Sequence, residues 1–224
     1  MKNMTRRDLF KSLVPTGGAL VFSHKLLANI AASCGLTPPQ AEGPFYPVKN
    51  QNDKDWDLTQ VKNRPHSAKG QVIWIQGNVM SEDCRPVSNA LVEIWQAAAS
   101  GRYNHPGDTS GLELDPNFQY WGKAITGTNG EYQFKTIIPG HYPAGDNWIR
   151  PPHIHFKVFA RGFHDLTTQM YFSGSSFSEE KGKFIEKLNQ QDRLLSKLSR
   201  QEQEQVTVEF LEGRGRFDVV LRTV

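Results

Sequence analysis

Cysteine is scarce in this sequence: Cys34 and Cys84 are the only two. Two thiols cannot build the multi-bridge framework of small secreted scaffolds, and neither has metal-ligand spacing. Cys34 follows the small residues Ala31-Ala32-Ser33, so two readings stay open: pairing with Cys84 after export, or lipid attachment at Cys34. Long hydrophobic runs are also missing. Beyond the leader, no segment approaches the roughly 20 apolar residues that a bilayer span requires. An excess of one charge is missing from most of the chain as well. The formal charge of +3 arises at the start, where Lys2, Arg6, Arg7, Lys11 and Lys25 face only Asp8. Without residues 1–33, the 26 basic and 23 acidic residues become 21 and 22. The body therefore offers no electrostatic case for nucleic acid. With 38% hydrophobic and 11% aromatic residues in 224, the chain can bury a core, which excludes a disordered class.

The leader itself is legible. Thr5-Arg6-Arg7-Asp8-Leu9-Phe10-Lys11 sets two arginines before an apolar pair. A moderately apolar stretch from Leu13 to Ile30 follows, interrupted by Pro15, Gly17 and Gly18, and it ends in small residues. A charged start, an apolar middle and a small-residue exit make an export signal, here resembling the twin-arginine type. The expectation is a signal peptide over 1–33, an exported (periplasmic or extracytoplasmic) protein, and one domain over 34–224.

Residues 35–70 are rich in Pro, Gly, Asn and Asp and read as an arm with loops. From Gln71 the pattern turns to alternation. Strands are expected over Gln71–Met80, Ala90–Trp95, Glu131–Ile137 and His153–Phe159, with another near Thr167–Phe172. Ser178 to Gln205 reads as helical, with Ser178 as cap and Phe184, Leu188, Leu195 and Leu198 on one stripe. Val206–Leu211 and Phe217–Leu221 flank Gly213-Arg214-Gly215 and read as a closing hairpin. The fold class expected is all-β: a β-sandwich core with long loops and one short C-terminal helical segment.

The sharpest chemical signal is Arg150-Pro151-Pro152-His153-Ile154-His155-Phe156. In a strand, residues two apart share a face, so His153 and His155 project together while Ile154 and Phe156 face the apolar layer. Two adjacent imidazoles are costly to bury as cations, and a metal ion can hold both as neutral ligands. The bland alternative is a pair of surface histidines. No cysteine lies near to support a structural zinc site, and no carboxylate pattern supports a two-histidine-one-carboxylate site. Two tyrosines in polar turns stand out instead: Tyr103 in Gly101-Arg102-Tyr103-Asn104-His105-Pro106 and Tyr142 in Pro139-Gly140-His141-Tyr142-Pro143. A free phenol titrates near pH 10, but a bound cation can force it to ionise. Each tyrosine taken singly also reads as an ordinary packing residue.

Taken together these segments resemble the intradiol ring-cleavage dioxygenases. The likeness runs from about Gly43 to the C-terminus. It includes Gly43-Pro44-Phe45-Tyr46, Val92-Glu93-Ile94-Trp95-Gln96, Thr128-x-Gly130-x-Tyr132-x-Phe134 and Thr168-Gln169-Met170-Tyr171-Phe172. The resemblance implies an Fe(III) ion held by Tyr103, Tyr142, His153 and His155. It implies a catechol-type diol and O2 as substrates, cleaved between the hydroxyl-bearing carbons to a muconate-type diacid. It implies that Tyr142 leaves the metal carrying a proton, and that Arg150 stabilises negative charge on the substrate. Gln169 reads equally as a partner in the Arg150 region or as an ordinary polar strand residue. His105 and His141 are read as loop residues, Glu93 as held by a structural hydrogen bond, and Trp148 as pocket lining or packing. A homo-oligomer is left open. The competing readings are a non-enzymatic prealbumin-like sandwich module and a zinc or ferrous enzyme built on His153 and His155 alone.

Overall fold

The computed structural model describes residues 34–51, 53–145 and 147–224, so the leader expected over 1–33 lies outside the described residues. Two sheets face each other. In the first, β1 (Val72–Ser81) pairs antiparallel with β4 (Glu131–Ile137), from Val72↔Ile137 to Asn78↔Glu131. Two short strands, β10 (Arg214–Arg216) and β11 (Val219–Leu221), run parallel to successive stretches of β1. The second sheet is β3 (Trp121–Ile125), β2 (Leu91–Trp95), β7 (His153–Phe159), β8 (Leu166–Phe172) and β9 (Thr207–Val208), in that order. A separate ribbon pairs β5 (Tyr142–Gly145) with β6 (Trp148–Arg150). Helices α1 (Glu179–Gln191) and α2 (Arg200–Val206) follow β8.

Alternation explains the layers. Ile73, Ile75 and Val79 of β1, Phe134 of β4, Val92 and Ile94 of β2, and Ile154, Phe156 and Val158 of β7 are all fully buried. Side chains of alternate residues leave a strand on opposite faces, so these residues fill the space between the sheets. Phe156 spans it, with its ring 4.8 Å from Phe217 and 6.2 Å from Tyr132. Each such side chain contributes roughly 1.5–3 kcal/mol by leaving water. Gly77 lets the sheet close, because a Cβ there would collide with the Phe217 carbonyl oxygen. The same alternation turns His153 and His155 to the far face of the second sheet.

The expected sandwich is observed, with strands over Val72–Ser81, Glu131–Ile137 and His153–Phe159. Three expectations need correction. The C-terminal hairpin does not form. A tight turn at Glu212-Gly213 does bridge Leu211 to Arg214, but β9 joins β8 while β10 and β11 join β1, so the flanking strands go to different sheets. The helical stretch is not continuous. Asp192 caps α1 and turns the chain by accepting the Leu194 and Leu195 amides at 3.0 and 2.8 Å. Ile185 and Leu188 form the buried face of α1, whereas Phe184 is exposed and Ser178 makes no side-chain cap. Third, the Cys34 sulfur is bonded to Cys84, so the lipid anchor considered at Cys34 is displaced by a disulfide.

That disulfide starts an arm that leads to the functional face. Thr37 exchanges hydrogen bonds with Val220, the Gln40 amide donates to Thr167, and the Thr168 hydroxyl donates to the Pro38 carbonyl. The arm therefore lies along β8 until Phe45 and Tyr46 reach the aromatic cluster around Trp95.

Candidate metal centre

Strand β7 sets two imidazoles side by side, with ring centroids 4.9 Å apart. His153 Nδ1 lies 2.7 Å from the Pro151 carbonyl oxygen. A carbonyl only accepts, so Nδ1 carries the proton and Nε2 presents a lone pair. The Tyr142 hydroxyl lies 3.4 Å from that Nε2. His155 is stacked flat on Trp95, its cross-strand neighbour on β2, at 4.6 Å and 9°. Its Nδ1 is buried without a partner.

Two turns carry the tyrosines. Tyr103 follows the tight turn closed by Gly101 N–H to Ala98 O at 2.9 Å. Gly101 has a φ of 89°, and a Cβ on it would press on the His141 carbonyl oxygen. Only glycine lets this turn lie against the His141-Tyr142 turn. Asp108 then fixes Tyr103, accepting its amide at 2.7 Å and pairing with Arg102. The two phenol rings meet edge to face at 5.3 Å. Tyr103 also lies 6.3 Å from His155, and Tyr142 5.6 Å from His153. Phe45 stacks on Tyr103 at 4.6 Å and forms one wall.

All four side chains are at least nine-tenths buried. Burial holds both imidazoles well below their ordinary pKa of 6.5, and the Arg150 charge adds to this. Burial likewise pushes the Tyr103 phenol well above 10, and Tyr142 beside it pushes further. Burial also raises Tyr142, against the pull of Arg150. Without a cation the cluster thus holds two neutral imidazoles and two protonated phenols. The Tyr103 hydroxyl is buried near the Tyr142 hydroxyl but makes no hydrogen bond of ordinary geometry. An orphaned buried hydroxyl is costly, and a metal ion would resolve it. Two oxygen donors that become anionic and two nitrogen lone pairs suit a hard trivalent cation. The groups that accompany the histidines are phenols. Among the described residues no group of three or more His, Cys, Asp or Glu is placed to hold a metal.

Arg150 ends β6 opposite Tyr142. It is 3% exposed, and its charge bears on both phenols and both imidazoles. Its Nη2 donates to Gln169 Oε1 at 2.6 Å, which puts Gln169 beside Arg150 and, on β8, opposite His155. Gln169 also donates to the Ala41 carbonyl, tying the arm to the centre. Glu93 has the structural role anticipated for it, accepting from Tyr46 at 2.7 Å and pairing with Lys123. His105 accepts the Gly107 amide, and exposed His141 lies against Phe184. Trp148 lies against the Arg150 guanidinium at 5.5 Å.

Three contributors escaped the sequence reading. Tyr171 bonds Arg150 and faces His153 across β7/β8, a position its spacing from Gln169 already implied. Gln40 accepts from Tyr171 and carried no local signal. Asp192 holds Arg150 Nε at 2.8 Å from 42 residues away, at the end of a polar helix.

Residues 41–223 match the family model described as Dioxygenase. Over 134 residues the chain is 44% identical to the protocatechuate 3,4-dioxygenase beta chain of Burkholderia cepacia, covering 58% of this chain and 57% of that one. It is 31% identical over 175 residues to a chlorocatechol 1,2-dioxygenase of Cupriavidus pinatubonensis, covering 70% of this chain and 62% of the relative. The chain thus spans somewhat more than half the length of these curated relatives. Among solved structures, the dioxygenase domain of a dioxygenase carbohydrate-binding protein fusion from Streptomyces sp. SirexAA-E superposes with a TM-score of 0.58 at 28% identity, over 85% of this chain and all of that one. An intradiol ring-cleavage dioxygenase from Tetranychus urticae shares the fold, with a TM-score of 0.63 at 22% identity over 84% of this chain and 95% of that one.

Proposed function

Given that the chain belongs to this intradiol dioxygenase family, we propose that it is a non-haem Fe(III) enzyme. It opens a catechol-type diol between its hydroxyl-bearing carbons and inserts both atoms of O2 to give a muconate-type diacid. One observation carries this reading: Tyr103, Tyr142, His153 and His155 converge in a buried cluster whose Tyr103 hydroxyl makes no hydrogen bond of ordinary geometry.

Bound there, Fe(III) supplies the Lewis acidity that ionises phenols and diol hydroxyls at neutral pH. The four side chains hold it. His153 is oriented by the Pro151 carbonyl and His155 by Trp95, so neither imidazole must turn to bind. Tyr142 is the proton acceptor for an incoming diol: its oxygen lies beside His153 Nε2, and Arg150 favours its anion. Arg150 holds a fixed positive charge where the diol becomes negative, in a site too dry for water to screen it. Phe45, stacked on Tyr103, and Trp95, stacked on His155, line the cluster with apolar surface.

The test is product analysis. Incubation with catechol, protocatechuate and larger diols under 18O2 should yield a diacid carrying two labelled oxygens, identified by mass spectrometry. A semialdehyde product, or recovery of every diol unchanged by iron-loaded protein, would refute the assignment. Export by the twin-arginine route is part of the proposal. The Cys34–Cys84 disulfide supports an oxidising destination. Arg6→Lys with Arg7→Lys should abolish export, and unchanged export would remove that element.

A further inference from the structure

Arg150 is held by more than its own strand. Its Nε donates to Asp192 Oδ2 at 2.8 Å, and its Nη2 donates to Gln169 at 2.6 Å and to Tyr171 at 3.2 Å. One edge of the guanidinium is thereby fixed, and Nη1 has no protein partner among the described residues. Asp192 is fully buried, and its second oxygen is committed to the Leu194 and Leu195 amides. That carboxylate cannot rotate without breaking the turn that ends α1. The helix is itself anchored: Asn189 donates to the Phe172 carbonyl at 2.9 Å, and Glu186 accepts the Gly174 amide at 2.6 Å.

We propose that Asp192 is a positioning residue for ring cleavage. Through it the end of α1 fixes the guanidinium of Arg150 so that Nη1 faces the substrate. This rests on the dioxygenase reading above. The physical argument is geometric. A guanidinium has five donors in a rigid plane, so fixing Nε and Nη2 fixes Nη1 as well. Gln169 and Tyr171 bond only Nη2, and Trp148 touches only the face of the guanidinium, so without Asp192 no hydrogen bond fixes Nε. Asp192 supplies the second point and the counter-charge. A buried guanidinium released from its carboxylate is both mispaired and misplaced.

The test is a double-mutant cycle in the iron-loaded full chain. Asp192→Asn keeps an oxygen for the Leu194 and Leu195 amides but sets an amide nitrogen against Arg150 Nε. It should lower kcat by about tenfold to a hundredfold, as expected for misplacing a catalytic group. Anaerobic catechol affinity and iron content should stay near wild type. In the Arg150→Ala background the same change should alter kcat by less than about twofold. That double variant removes both charges, so it avoids an unpaired buried carboxylate. Asp192→Glu, which keeps the charge, should recover part of the loss. Equal losses in both backgrounds, or no loss in the first, would overturn the proposal. Exchange of the Arg150 Nε–H, followed by 15N NMR, adds a readout independent of turnover. It should be slow in the wild type and fast in Asp192→Asn. Equal exchange in the two refutes the role of Asp192 even if the wild type opens no diol, an outcome that would instead defeat the functional reading.

Discussion

At the residue scale the centre is defined by what burial does to four titratable groups. Both imidazoles stay neutral well below pH 6.5, because burial and then Arg150 disfavour imidazolium. The unfolded chain takes up protons near pH 6.5 that the fold refuses. Stability of the metal-free protein should therefore decline as pH falls below 6.5, where the unfolded state binds more protons. His153→Gln or His155→Gln should flatten the decline. A melting temperature that is flat between about pH 7.5 and 5 would contradict this account. The phenols have the opposite linkage. Both remain protonated in the empty cluster, since burial raises them. Loading ferric ion near pH 7 should release about two protons per metal, measurable with a weakly buffered indicator. Release should fall by about one in Tyr103→Phe. The four clustered side chains were legible because His-x-His alternation and two tyrosine turns are local patterns. Asp192 was not, because a lone Asp at the end of a polar helix reads as a solvent-facing cap. Only the fold brings it to Arg150.

At the scale of elements, alternation foretold β1, β4 and β7 closely, since each has one apolar face. Strand β3 was missed because Gly122 and Lys123 dilute its pattern, and β5 because Pro143 lies within it. The C-terminal strands misled for a different reason. The Glu212-Gly213 turn is a real local signal, yet pairing is decided by which sheet edge stands open. The arm from Cys34 to Tyr46 is the other element that sequence could not place. Its hydrogen bonds to β8 and its stacking on Tyr103 make it a wall of the centre. The disulfide closes a separation of 50 residues. Replacing both cysteines by serine should lower unfolding free energy by about 4 kcal/mol in a chain-entropy account. Denaturant melts would show it, and an unchanged midpoint would mean that the arm's hydrogen bonds suffice. Gly77→Ala should be comparably harmful, because its Cβ would strike the Phe217 backbone.

At the scale of the molecule, a sandwich core carries the buried tyrosine–histidine cluster on the outer face of one sheet without sharing residues with it. Ile154, Phe156 and Val158 fill the core while His153 and His155, one residue out of phase, face the centre. Two tyrosine-bearing turns, a two-strand ribbon, an N-terminal arm and the end of α1 then converge on that face. The division predicts separable variants. Tyr142→Phe should leave the melt of the metal-free protein nearly unchanged while weakening iron binding by more than the roughly 10–100-fold that loss of an outer-shell partner costs.

Reconstitution with ferric ion, read by metal analysis and visible absorption together, bears on all of this at once. The account predicts about one iron per chain and a red-brown phenolate-to-ferric band, weakened in Tyr103→Phe or Tyr142→Phe and lost when both are replaced. A colourless protein that takes up no iron, or one whose iron is indifferent to both tyrosines, would contradict it.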